Sequence, residues 1–169
     1  MIISINQIST GTGLKINNDI YLVTEHQHVK PGKGGAFMRV KLKNVKSQQV
    51  LDKTFRSGDK LEEVDLEERK LQNLYESGDD IHFMDLESYE EIAVPKSVIG
   101  DDIQFLQENL EVVGLIHNNG VLKINLPIFI FAEITQTEPG LKGDSSKAGT
   151  KPATIETGAN IQVPLFINM

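Results

Sequence analysis

The chain has no cysteine and no tryptophan, and only 6% of its 169 residues are aromatic. Without cysteine there is no disulfide framework, no thiolate zinc site and no thiol nucleophile, and the absence fits a reducing compartment. Long apolar runs are missing too. The longest, around Ile128 to Ile134, falls far short of the roughly 20 residues a bilayer-spanning helix needs. No basic stretch followed by an apolar core opens the sequence, so no signal peptide is expected and the protein is expected in the cytoplasm.

What is present is an ordinary globular composition, 39% hydrophobic and 24% charged, with an uneven distribution of charge. The net charge of −7 by itself opposes a nucleic-acid partner. Residues 1–62, however, hold ten Lys and Arg against five Asp and Glu, and residues 63–126 hold four against fifteen. Residues 127–169 hold three against four. A basic head joined to an acidic middle is steered to phosphate by one end and kept from nonspecific sticking by the other.

The head reads as strand. IYLVTEHQHV (20–29) is β-branched and aromatic, PGKGG (31–35) is a loop, and AFMRVKLKN (36–44) alternates. In that alternation Met38, Val40 and Leu42 take one face, and Arg39, Lys41 and Lys43 the other. KTFRSGDKLEEV (53–64) adds a strand and a Ser-Gly-Asp turn, so a small barrel is expected over 1–62. In the middle segment, 71–95 reads as three strands, and Asp101 is expected to cap a short helix carrying Ile103, Phe105, Leu106 and Leu110. A hairpin turning at Asn119-Gly120 follows. Five strands and one short helix over 63–126 fit an oligonucleotide-binding (OB) barrel. In 127–169, residues 128–140 are expected as a strand, 141–154 as a loop and 154–169 as strands again.

No catalytic constellation emerges. Gly34, not Ser or Thr, follows Lys33, which excludes a P-loop, and Phe37 stands where a dinucleotide fingerprint needs glycine. His26 and His28 share a strand face and could offer two metal ligands, but two solvent-facing histidines explain them better. His82 and His117 stand alone, and Asp79-Asp80 and Asp101-Asp102 suit a turn and a cap. A non-enzyme without metal or cofactor is expected.

The tip at Lys30 to Gly35 admits two readings. Glycines and lysine are common in turns, and a charged edge stays soluble. Alternatively, there is no acidic residue between Glu25 and Asp52, while Lys30, Lys33, Arg39, Lys41, Lys43 and Lys46 fall in that window. A glycine-flanked ammonium on a long stem is a probe suited to a narrow, phosphate-lined cavity. A general single-strand binder would interleave aromatics on this face, and only Phe37 is near.

HVKPGKGGAFMRVKLKN (28–44), KTFRSGDK (53–60), LYESGDDIHFMD (74–85) and TEPGLKGDSSKAGTKPATIETGANIQVPLFIN (137–168) together resemble bacterial translation elongation factor P along the whole chain. The resemblance implies an L-shaped, all-β protein of three small barrels. The first is SH3-like (KOW-type, 1–62), and the other two are OB-folds (63–126 and 127–169). It implies binding to the ribosome between the peptidyl- and exit-tRNA sites, and relief of stalling at consecutive prolines. The tip residues Lys30, Pro31, Gly32, Lys33, Gly34 and Gly35 would approach the CCA end of the peptidyl-tRNA. Lys33 occupies the position that is often covalently extended in the family, implying a lysine-modifying enzyme as a further partner. Gly143-Asp144-Ser145 falls where the family's third-domain loop meets the tRNA elbow. The protein is expected to act as a monomer away from membranes. The family's C-terminal signature matches Lys151, Ala153, Gly158, Ile161, Val163, Pro164 and Ile167, and its final glycine would fall past Met169, so the third barrel is expected to be incomplete.

Overall fold

The computed structural model describes residues 1–140 and 149–169. It is all-β, with three antiparallel sheets of six, five and three strands. By compactness it divides into two units, Met1–Arg69 with Gly114–Ile124, and Lys70–Val113 with Asn125–Met169.

The first sheet contains β1 (Ile2–Ile3), β2 (Gly13–Ile16), β3 (Asp19–Val29), β4 (Phe37–Asn44), β5 (Val50–Arg56) and β6 (Leu61–Val64). Their order is β1-β6-β2-β3-β4-β5. The alternation in β4 places its residues as expected: Met38, Val40 and Leu42 are 3%, 2% and 0% exposed. They join Ile3, Ile5, Ile8, Leu14, Val23, Phe55 and Leu61 in one core. Each fully buried aliphatic or aromatic side chain of this kind contributes about 1.5–3 kcal/mol. Gly13 on β2 has no room for a side chain, because a Cβ there would lie 2.6 Å from the carbonyl oxygen of Val64 and 2.8 Å from Leu66 Cδ1.

The second sheet contains β7 (Glu67–Ser77), β8 (Asp80–Asp85), β9 (Glu91–Pro95), β10 (Glu111–His117) and β11 (Gly120–Asn125), in the order β11-β10-β7-β8-β9. Between β9 and β10 lie α1 (Lys96–Ile99) and a 3₁₀ turn over Gly100–Phe105. Two expectations are corrected here. Asp101 does not cap a helix: the chain is already helical from Lys96, and Asp101 sits inside the 3₁₀ turn without a capping hydrogen bond. Leu106 and Leu110 lie beyond that turn. The β10–β11 hairpin turns at Asn118-Asn119, whose φ values are +48° and +61°, and Gly120 already belongs to β11. Two consecutive positive-φ residues make a hairpin turn that asparagine tolerates through its short polar side chain.

One turn chemistry serves both sheets. Asn44 at the end of β4 accepts the backbone N–H groups of Lys46 and Ser47 on Oδ1, at 2.9 Å each. Asp85 at the end of β8 accepts those of Glu87 and Ser88, at 2.8 and 3.1 Å. Each turn closes through a positive-φ residue, Gln48 and Tyr89 respectively. Both acceptors are buried, Asp85 almost completely. A short side chain that bonds its own backbone two residues on is the physical basis of such a turn.

The third sheet is β12 (Ile134–Thr137), β13 (Thr150–Ile155) and β14 (Asn160–Pro164), in that order. The strand expected over 128–140 is confined to Ile134–Thr137, because only these residues meet a ladder partner, on β13. Ile128, Phe129 and Phe131 are exposed instead. Thr150–Thr154, expected as loop, pairs with β14. Lys151 is buried, and its ammonium donates to the carbonyl oxygen of Glu138 at 2.6 Å.

Gly13→Ala should lower the stability of the first unit by about 1–3 kcal/mol, the usual cost of overpacking against backbone. Gly32→Ala, which meets nothing within 4 Å, should leave it unchanged. Thermal unfolding of the two variants measures the contrast.

Candidate functional site: the lysine-bearing tip

The tip is carried by three strands. β3 pairs with β4 as far as Val29↔Phe37, and β4 pairs with β5 as far as Phe37↔Arg56. From the fully buried Val23 to Val29 the ladder advances about 20 Å at the usual strand rise. A bulge at Thr24 interrupts the β3–β4 register, and Thr24 Oγ1 donates to the carbonyl oxygen of Lys41 at 3.1 Å. Bulges increase local twist and re-aim the strand beyond them. Beyond the ladder, Ser57 N–H donates to the carbonyl oxygen of Ala36 at 3.0 Å and ties the loop's exit to the end of β5.

What remains free is the loop itself. Lys30, Pro31, Gly32, Lys33, Gly34 and Gly35 are all exposed. Gly34 has φ +123°, a conformation that only glycine takes without strain. A Cβ at Gly32 or Gly35 would meet nothing within 4 Å. Lys30 and Lys33 have no ion-pair partner among the described residues. The structure therefore brings the predicted tip residues together as a bare cationic loop on a three-stranded base.

The face below the tip is mixed in charge. Arg39, Lys41 and Lys43 share the outward side of β4, with Arg39 exposed and the other two half-buried. Lys41 pairs across the sheet with Glu25 on one side and Asp52 on the other. These are the two acids that bound the acid-free window in the sequence. Lys41 Nζ donates to Glu25 Oε2 at 2.9 Å. The hydrogen bond to Glu25, with the charges of Glu25 and Asp52, raises the Lys41 pKa despite partial desolvation. A groove of about 400 Å³ runs along this face, with Arg39, Lys41 and Lys53 facing Glu25 and Asp52. The Arg39 guanidinium lies 5.6 Å from the ring centre of Phe37, a cation–π distance.

The other predicted residues are placed as follows. His26 and His28 are exposed on β3, and His26 Nδ1 is 3.4 Å from Thr10 Oγ1. No group of three or more His, Asp or Glu converges to hold a metal among the described residues. Gly143, Asp144 and Ser145 lie outside the described residues. His117 and His82 have partners that the sequence reading missed: His117 Nδ1 is 2.8 Å from the carbonyl oxygen of Asp65. His82 contacts Tyr75 and Glu91.

Known proteins match along the whole length. Residues 4–61 match the profile described as Elongation factor P (EF-P) KOW-like domain, 66–124 the Elongation factor P (EF-P) OB domain, and 130–169 Elongation factor P, C-terminal. The elongation factor P of Natranaerobius thermophilus is 46% identical, with 98% of this chain and 88% of that protein aligned. That of Kocuria rhizophila is 51% identical over 96% of this chain and 87% of that protein. Among solved structures, "Eukaryotic translation initiation factor 5A from Methanococcus jannaschii" superposes with a TM-score of 0.56 at 26% identity, covering 75% of this chain and 92% of that one.

A KOW-like domain, an OB domain and an elongation factor P C-terminal domain, with these relatives, define a translation elongation factor and not an enzyme. The chain belongs to the elongation factor P family.

Replacing Glu25 removes the largest cause of the raised Lys41 pKa. In Glu25→Gln, the Lys41 ammonium should titrate at lower pH than in the parent, measured by NMR of the Lys41 side chain. An unchanged titration would mean the pair is not formed in solution.

Proposed function

We propose that this protein binds the ribosome between the peptidyl- and exit-tRNA sites, with the Lys33 tip beside the CCA end of the peptidyl-tRNA. There it stimulates peptide-bond formation at consecutive prolines. The observation that carries this reading is the tip: a bare lysine among glycines, uncovered by any other described element, on a base held by three paired strands. Such a part has no packing role, and it is suited to reaching past the fold into a confined, phosphate-lined space.

The physical task is orientation. Proline is a constrained, slow acceptor, and its ring restricts the nascent chain. A cation held beside the CCA end would keep the peptidyl-tRNA in a reactive pose, and positioning alone is worth several kcal/mol when the geometry is right. The protein would contribute no reacting group, so the ribosome remains the catalyst. Lys33 is also the proposed site of a covalent extension by a partner enzyme, which would lengthen the stem and add donors. The Gly143-Asp144-Ser145 segment is proposed to meet the tRNA elbow. We assign the activity to the cytoplasm, where translation takes place, and to a single copy of the chain. The proposed domain limits are 1–62, 63–126 and 127–169.

Lys33→Ala should unfold at the same temperature as the parent, since an exposed tip side chain has no packing to lose. It should fail to relieve stalling at a triple-proline reporter in reconstituted translation. Normal relief by the folded variant would refute the assignment of the tip. Ribosome binding should also weaken with salt, with a log–log slope of about −0.7 for each phosphate contacted as a single strand. A filter-binding series between low and moderate salt measures the slope, and a flat response would remove phosphate from the account.

A further inference from the structure

The third sheet makes no strand pair with the second, yet side chains fasten the two together. The fastening starts on β7. Asn73, buried there, donates from Nδ2 to the carbonyl oxygen of Gln107 at 2.8 Å, and its backbone bonds Leu110 and Asn109 at 2.9 Å each. The backbone at Gln107 is therefore fixed relative to the second sheet. Its side-chain amide has two hydrogens to give. One goes to the carbonyl oxygen of Phe131 at 2.6 Å, the other to Glu156 Oε1. Next to Glu156 in the chain, Thr157 Oγ1 donates to the carbonyl oxygen of Gln104 at 2.6 Å.

The receiving end is held as well. Glu156 Oε2 accepts the backbone N–H of Glu133, and the Glu156 N–H donates to the carbonyl oxygen of Glu133 at 3.1 Å. Both carboxylate oxygens are thus committed, one to the residue preceding β12 and one to Gln107. The connecting side of the joint is not filled by apolar packing. Phe105, Leu126, Pro127, Ile128 and Ile130 border an open cavity of about 390 Å³, and Phe129 and Phe131 are 88% and 100% exposed. Where close packing is missing, directional hydrogen bonds set the geometry.

We propose that Gln107 and Thr157 are positioning residues that hold the third sheet at one attitude on the second, with Glu156 as the receiving carboxylate. The proposal rests on the reading in which Gly143-Asp144-Ser145, between β12 and β13 in the chain, meets the tRNA elbow. A sheet held at one attitude presents that segment already aimed. A sheet free to swing presents it for only part of the time, and apparent affinity falls in proportion to that fraction. Lys33 belongs to the other compact unit. Loosening the joint should therefore alter how much protein is needed and leave unchanged what the bound protein does.

The test compares the full ¹⁵N-labelled chain with the double variant Gln107→Ala/Thr157→Val, which keeps both Glu156–Glu133 hydrogen bonds. In the parent, residual dipolar couplings from β7–β9 and from β13–β14 should fit one alignment tensor. In the variant the two sheets should need different tensors, with the amide shifts within β13 and β14 unchanged, so that attitude changes and folding does not. On stalled ribosomes the variant should reach the same maximal relief. Its half-saturating concentration should rise about threefold if about one attitude in three is competent. Gln107→Glu, which sets a carboxylate against Glu156 and the Phe131 carbonyl, should do the same with a single substitution. One shared tensor in both variants, or two in the parent, would overturn the proposal. So would a lower plateau at unchanged half-saturation. The couplings are read on the free protein, so they hold or fail independently of the stall-relief reading.

Discussion

The structure depends on the backbone ladder that joins β3, β4 and β5. β4 is the middle strand, and its two sides do different work. Met38, Val40 and Leu42 anchor it in the core, while its hydrogen bonds hold β3 and β5 in register out to Val29, Phe37 and Arg56. A slip of one residue would turn the core set to solvent, so the register is strongly specified. Because the register is specified, the end of the ladder is too, and with it the place where Lys30 to Gly35 leave the sheet. The tip can be glycine-rich and uncovered because its base is not. Backbone pairing ends at Ala36, where Ser57 ties down the exit.

Charge is arranged on the same principle of local pairing. The basic window between Glu25 and Asp52 is closed in space by those two residues, which flank Lys41 in the sheet. Exposed ion pairs of this kind add little stability, about 0–1 kcal/mol. Their effect is on the field: Lys41 is neutralised, and Lys30 and Lys33 at the tip have no ion-pair partner among the described residues. The acidic segment over 63–126 has its own order, in which Glu91 organises Tyr75 and His82.

Much of this was legible in the sequence where structure follows from neighbours along the chain. The alternation in 37–44 specifies which β4 side chains are inside, and the glycines around Lys33 specify an uncovered loop. The misreadings came where the deciding partner is distant. Asn118 takes a positive φ because β10 and β11 must be joined there, although Asn119-Gly120 looks like the stronger turn pair. Residues 128–133 have strand composition, but a strand needs a ladder partner, and β13 meets only Ile134–Thr137. Asp101 resembles a cap, but helix has already begun at Lys96. The Tyr75–His82–Glu91 cluster draws on three strands, and the bulge at Leu74 shifts the β7–β8 register. No spacing rule along one strand reveals it.

The central claim is that the ladder delivers Lys33 to the reactive end of the peptidyl-tRNA. The most direct measurement places a photo-crosslinking side chain at Gly32, which lies beside Lys33 in open space. The variant is then irradiated on ribosomes stalled at consecutive prolines. The account predicts crosslinks to the 3′ end of the peptidyl-tRNA and the ribosomal RNA around it. Binding to the ribosome with crosslinks only elsewhere, or none that depend on the stalled peptidyl-tRNA, would contradict it.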